Sequence, residues 1–149
     1  VIVEGRNARP AYREDFILIA RRTLVFAGIS TLLAVPSLSA AWAATEAPFS
    51  SDAFQKAQAA GRPILVKVHA SWCSTCRAQE PIVGELTKQA KFMDLAIFRL
   101  DFDSQKADAK RLGAQMQSTL IVFKGAKETG RSVGDTKRDS IAALLDTAV

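Results

Sequence analysis

Cys73 and Cys76 are the only cysteines in the chain, and they stand two residues apart where a β-branched apolar run gives way to a helical pattern. The run opens at Pro63 and continues as Ile64-Leu65-Val66-Lys67-Val68-His69. It is too short for a helix and nearly apolar on both faces, the composition of a central strand covered on both sides. From about Ser74 to Lys88 the spacing turns helical, with Ile82, Val83, Leu86 and Ala90 expected inward. Pro81 interrupts the hydrogen-bond ladder there, so a kink is expected. A fold that accepts this segment must cover a strand on both faces and start a helix at the cysteines.

The rest of the chain supplies the covers. Phe49 and Phe54 bracket Ser50 in staple spacing, and Ala53, Phe54, Ala57 and Ala60 make one apolar face, so a helix is expected over about 51–60 with Gly61 at its end. Leu95 to Asp101 reads as a second strand. Asp103 or Ser104 is expected to cap a short helix that Gly113 ends, and Thr119 to Phe123 reads as a third strand. After a turn around Gly125, Glu128 to Val133 returns as an edge strand. Thr136 is expected to cap a last helix with Ile141, Leu144, Leu145 and Ala148 inward. The order αβαβαββα implies an α/β domain with one mixed sheet, parallel at first and antiparallel at its edge, and helices on both faces.

At 149 residues one compact domain is expected. Residues 1 to 43 are set apart as an n-region and signal segment. Arg21 and Arg22 precede an apolar run, Leu24 to Leu33, and small residues follow up to Ala41-Trp42-Ala43, which is the layout of a secretory signal with cleavage after Ala43. The alternative is an uncleaved anchor, for which the apolar stretch falls short of the roughly 20 residues a spanning helix needs. The arginine pair reads as an ordinary basic n-region of the general secretory route rather than as a twin-arginine signal. The expected location is the periplasm, and the expected mature domain is 44–149. The formal charge of +5 drops to about +3 in that domain, and no basic stripe interleaved with aromatics appears, so nucleic acid is not expected as a partner.

The cysteines carry the chemistry. Two cysteines on the first turn of a helix lie close enough to form a disulfide. The helix N-terminus offers unpaired N–H groups and the positive end of a dipole, which stabilise a thiolate on Cys73. Cys73 is then the nucleophile and Cys76 the resolving thiol of a mixed disulfide. A purely structural disulfide would close too small a loop to restrain the unfolded chain much. A structural zinc site wants four ligands, and the chain has two Cys and one His, His69, so no metal site is expected unless two chains share one.

Trp72-Cys73-Ser74-Thr75-Cys76, Pro81 five residues after the second cysteine, the segment Thr119-Leu120-Ile121-Val122-Phe123-Lys124 and Val133-Gly134 together resemble the thioredoxin superfamily over about residues 50–149. The resemblance implies a thioredoxin fold and thiol–disulfide exchange through a redox-active disulfide, with no other cofactor. It makes Trp72 an apolar cover beside the disulfide and places Ser74, Thr75 and Pro81 among the residues that shape the site. Gln117, Ser118 and Thr119 fall where the family binds substrate.

Three positions depart from the family. Ser118 stands where a cis-proline usually faces the disulfide; a cis bond before a non-proline costs about 3–4 kcal/mol, so the Gln117–Ser118 bond is expected trans or strained. The Ser118 hydroxyl and its restored N–H are expected as extra polar contacts for a bound peptide. Lys67 occupies the place of a buried acid and Arg99 the place of that acid's lysine partner, so Lys67 is expected either to act on the thiols or to pack its stem and send its head to solvent. His69 replaces a tryptophan and shares the sheet face of Lys67. The function expected is a monomeric periplasmic reductase of protein disulfides, supplied with electrons by a membrane thiol transporter. An oxidant of the same fold and a metal or iron–sulfur module using Cys73 and Cys76 from two chains are the rivals.

Overall fold

The computed structural model describes residues 44 and 46–149. The expected signal segment and its cleavage site before Ala44 lie outside the described residues, apart from Ala44 itself. Among the described residues no helix is long and apolar enough to cross a membrane.

Among the described residues five strands and four helices follow one another: β1 Glu46–Pro48, α1 Ser51–Ala59, β2 Pro63–His69, α2 Ser74–Leu86, β3 Ala96–Asp101, α3 Lys106–Arg111, β4 Thr119–Lys124, β5 Lys127–Val133 and α4 Arg138–Asp146, with one 3₁₀ turn at Ala90–Phe92. The strands form a single sheet in the order β1-β3-β2-β4-β5. β1 and β2 flank β3 in parallel, while β4 runs antiparallel to β2 and β5 antiparallel to β4. This is the mixed sheet the strand order implied, with one strand more. β1 was not expected because three residues carry no alternation to read; what defines it is pairing, Glu46 with Ile97, Ala47 with Phe98 and Pro48 with Arg99.

β2 sits at the centre and its alternation divides the core. Ile64, Val66 and Val68 join Phe98, Leu100, Ile121 and Phe123 on the face covered by Phe54 and Ala57 of α1. Phe54 meets Phe98 edge-on at 6.1 Å and Phe123 at 5.2 Å. Leu65 turns to the other face, with Ile97, Leu120 and Val122 against Val83 and Leu86 of α2 and Ile141 and Leu145 of α4. Each such fully buried side chain contributes about 1.5–3 kcal/mol by leaving water. Strand alternation then carries Lys67 and His69 to the α2 face as well, where the apolar core ends and the cysteines begin.

Local details differ from expectation at the helix starts and on two helix faces. α3 starts after Gln105 and α4 after Lys137, neither with a side-chain cap. The expected cap residues yield to aspartates further back: Asp101 accepts from Ser104 N and Oγ at 2.8 and 2.6 Å, and Asp135 accepts from Lys137 N at 2.9 Å and from Ser140 Oγ. Ala53 and Ala60 of the first helix are exposed. Ala90 is exposed too, because α2 ends at Leu86 and the chain turns before reaching it.

Gly130 in β5 lies under side chains at the end of α4. A Cβ there would meet Leu144 Cδ1 at 2.7 Å and Thr147 Oγ1 at 3.7 Å. Because the atom it meets is the terminal methyl of a half-buried leucine that can turn aside, Gly130→Ala is expected to cost no more than about 1 kcal/mol, read as a small drop in the urea midpoint at unchanged m-value.

Candidate active site

The cysteines lie where β2 hands over to α2, joined as a disulfide with Cα atoms 5.3 Å apart. Cys73 is the N-cap of α2, and its Sγ accepts the N–H of Cys76 at 3.0 Å. An N-cap acceptor satisfies one of the helix's orphan donors, so a negative charge on that sulfur is stabilised by both the bond and the dipole. Cys76 has the opposite surroundings. Its Sγ lies 3.9 Å from the Val68 carbonyl oxygen, a place where an S–H donates and a thiolate is repelled. Both cysteines are buried, with Ala70 beside them and Phe102 packed over the group.

Trp72 is exposed and its indole N–H donates to Asp103 Oδ2 at 2.9 Å, which holds the ring at the edge of the site. Ser74 is exposed and Thr75 half-buried on the first turn, while Pro81 sits on the outer face of α2, which runs on through it to Leu86. Arg77 reaches back to the Ser71 carbonyl at 3.4 Å.

The Gln117–Thr119 loop comes up against β2 and α2. Ser118 is buried and adopts φ 56°, the left-handed region that costs an L-residue about 1–2 kcal/mol. Its N–H donates to the Val68 carbonyl at 2.8 Å, and its hydroxyl to the Gln117 carbonyl at 2.6 Å. Both polar groups expected to meet a bound peptide are thus engaged inside the protein. Thr119 is likewise buried, donating to Met116 O at 2.7 Å. Gln117 is half-buried, and Met116 beside it is exposed. Val133, the register partner of Thr119, is exposed as well.

Two groups of residues escaped the sequence reading. The first is Gln79, 3% exposed, whose Nε2 donates to Ser118 O at 3.2 Å and to Asp135 O at 2.8 Å. It ties the active-site helix to the Ser118 loop and to the segment before α4. The second surrounds Lys67. Rather than reaching solvent, Lys67 is 5% exposed, and its Nζ donates to Glu46 Oε2 on β1 and Glu80 Oε2 on α2, both at 2.7 Å. Arg99 stands 3.9 Å from the other oxygen of Glu46. A buried cation between two carboxylates therefore occupies the space under the cysteine helix. Glu80 carried one readable signal, its place four residues after Cys76 on the same helix face.

His69 completes this layer. It is buried, its Nδ1 has no hydrogen-bond partner, and it lies opposite Asp101 in the sheet register. Burial first and the nearby Arg99 second push its pKa below the ordinary imidazole value, against the opposing pull of Glu80. A lowered folded-state pKa means the unfolded chain binds the proton more readily. The stability contributed by the neutral ring is therefore complete above the unfolded pKa near 6.5 and is lost as pH falls through the folded value. His69→Leu is expected to flatten the dependence of the melting temperature on pH below that point, measured by thermal scans of both proteins.

Among the described residues no group of three or more His, Cys, Asp or Glu is arranged to hold a metal ion. What the site offers is a cysteine pair in unequal electrostatic surroundings, beside exposed apolar side chains and above buried charge.

Comparison with known proteins agrees with this geometry. A protein called Trxlp from Edwardsiella tarda is 39% identical and superposes with a TM-score of 0.66 over 68% of this chain and 98% of its own. Spinach chloroplast thioredoxin F is 25% identical with a TM-score of 0.62, covering 72% and 96%. A thioredoxin of Chlamydia muridarum is 34% identical over 96 residues, 64% of this chain and 91% of that one. The family model described as Thioredoxin matches residues 45–147. With that span, that sheet and that cysteine pair, the chain belongs to the thioredoxin family and is a thiol–disulfide oxidoreductase acting on protein thiols and disulfides.

Proposed function

We propose that the protein is an exported reductase of protein disulfides, with Cys73 as the attacking thiolate and Cys76 as the resolving thiol. The observation that carries the assignment of roles is the asymmetry of the two sulfurs: an N–H at 3.0 Å for Cys73 and a carbonyl oxygen at 3.9 Å for Cys76. A substrate disulfide docks on the exposed Trp72, Met116 and Val133 around the pair, with Gln117 at the rim and Ser118 and Thr119 forming the wall behind it. Residues 1–43 direct the chain to the periplasm and are removed before Ala44. There the pair is kept reduced by a membrane thiol–electron transporter, and the protein works as a monomer with no cofactor beyond its disulfide. The reducing direction is favoured by the compact domain, which among the described residues carries no inserted helical domain between its sheet elements.

The test is the state of the pair in growing cells. Acid quenching and alkylation with a mass-adding maleimide should find the periplasmic protein mainly as the dithiol. A pool found mainly as the disulfide would make it an oxidant.

A further inference from the structure

Among the described residues Ser118 is the one non-glycine with a positive φ. An L-residue is disfavoured there by about tenfold when nothing holds it. Two of the contacts that hold Ser118 are backbone rungs at the end of the sheet. Its N–H donates to the Val68 carbonyl at 2.8 Å, and its carbonyl accepts the Gly134 N–H at 3.0 Å. Rungs at a sheet end open more readily than interior ones. The third contact comes from the helix that carries the cysteines. Gln79 Nε2 donates to the same Ser118 carbonyl at 3.2 Å and to the Asp135 carbonyl at 2.8 Å. A buried carboxamide is costly unless its hydrogen bonds are made, and both of these bonds go to segments that border the site. The far anchor is itself fixed, because the Asp135 carboxylate accepts from Lys137 N at 2.9 Å and from Ser140 Oγ. Gln79 follows Cys76 by three residues, so one turn of α2 separates the disulfide from this clamp.

We propose that Gln79 is a positioning residue for protein substrates: it holds Ser118 in the left-handed conformation and so sets Met116 and Gln117 in the arrangement against which a substrate docks. The inference rests on the docking surface assigned to Trp72, Met116, Gln117 and Val133. Gln79 touches no substrate, being 3% exposed. It acts on the population of loop conformations. A loop that is competent for only a fraction of the time binds with an affinity reduced by that fraction. Without the clamp Ser118 relaxes toward negative φ, and the competent fraction falls.

Three consequences separate this role from a purely structural one. Docking weakens while the exchange step between bound sulfurs keeps its rate, since a bound substrate holds the loop in place. A small disulfide that reaches Cys73 without lying across the loop is far less sensitive. Glycine adopts the left-handed region freely, so a glycine at position 118 removes the need for the clamp.

Quenched-flow oxidation of the full reduced chain by increasing insulin, with alkylation of the remaining thiols, gives a half-saturating concentration and a limiting rate. Gln79→Met keeps the length of the side chain and loses its donors. In that variant the half-saturating concentration is expected to rise about tenfold, with the limiting rate within about twofold of native. The ratio of insulin reactivity to reactivity with a small aromatic disulfide should fall by the same factor. In the Ser118→Gly background, Gln79→Met is expected to move the half-saturating concentration by less than about twofold. Gln79→Asn keeps an amide too short to reach both carbonyls and should raise the half-saturating concentration too, which preserves the test where Gln79→Met folds poorly. A native half-saturating concentration in the folded variant overturns the assignment, as does an equal loss with the small disulfide or an equal rise in the Ser118→Gly background. Met116→Ser reads the docking surface separately. A rise there with none in the Gln79 variants refutes the clamp alone, whereas no rise in any of them refutes the docking surface and the clamp with it.

Discussion

Replacing Cys73 by serine is expected to abolish disulfide exchange, with activity falling by at least about 10³-fold, because the variant has neither the attacking thiolate nor a partner for Cys76. The effect follows from geometry. Cys73 occupies the N-cap of α2 and receives the Cys76 N–H, so the helix stabilises negative charge on that sulfur and on no other. Cys76→Ser is expected to behave differently. It retains the attacker, so it should stall as a stable mixed disulfide with substrate that is seen on a non-reducing gel. Reduction of insulin by the two variants in the presence of dithiothreitol distinguishes these outcomes. Full turnover by Cys73→Ser would mean that the attacking sulfur has been misassigned.

Stripping both carboxylates from Lys67 is expected to have the largest effect on stability. The lysine side chain is 6% exposed, and Glu46 and Glu80 are its two anionic partners at 2.7 Å. In Glu46→Gln, Glu80→Gln a cation stays buried without a counter-charge, a change that costs about 3–5 kcal/mol. Each single variant should cost clearly less, because one carboxylate remains. Lys67→Met is predicted to do the opposite: it removes the buried charge, and the two carboxylates, each about a third exposed, turn to water. That variant should be near neutral or slightly more stable. Urea midpoints at constant m-value measure all four, and a double variant within about 1 kcal/mol of native would show that water reaches Lys67.

The same cluster marks where reading from sequence stops. β2 and the cysteine turn were legible because strand alternation, a Cys-x-x-Cys spacing and a helix start are local patterns. So was the placement of Lys67 and His69 on one face. The partner of Lys67 was not, since Glu46, Glu80 and Lys67 come from three elements and meet only once β1 pairs with β3 and α2 lies across the sheet. A lysine on a strand is ordinarily expected to reach solvent, and here two carboxylates keep it inside. Ser118 illustrates another limit. Its departure from proline was plain in the sequence, but the left-handed backbone, and the loss of its N–H and hydroxyl to Val68 and Gln117, depend on how the loop packs. Gln79 gave no signal at all, because a polar residue on a helix reads as surface until the loops it bridges are in place.

Equilibration of the Cys73/Cys76 pair against glutathione buffers of known poise tests the central claim most directly. A protein that reduces disulfides outside the cytoplasm is predicted to have a potential near that of thioredoxin, about -270 mV, whereas a value near about -120 mV would make the pair an oxidant and contradict the proposed direction.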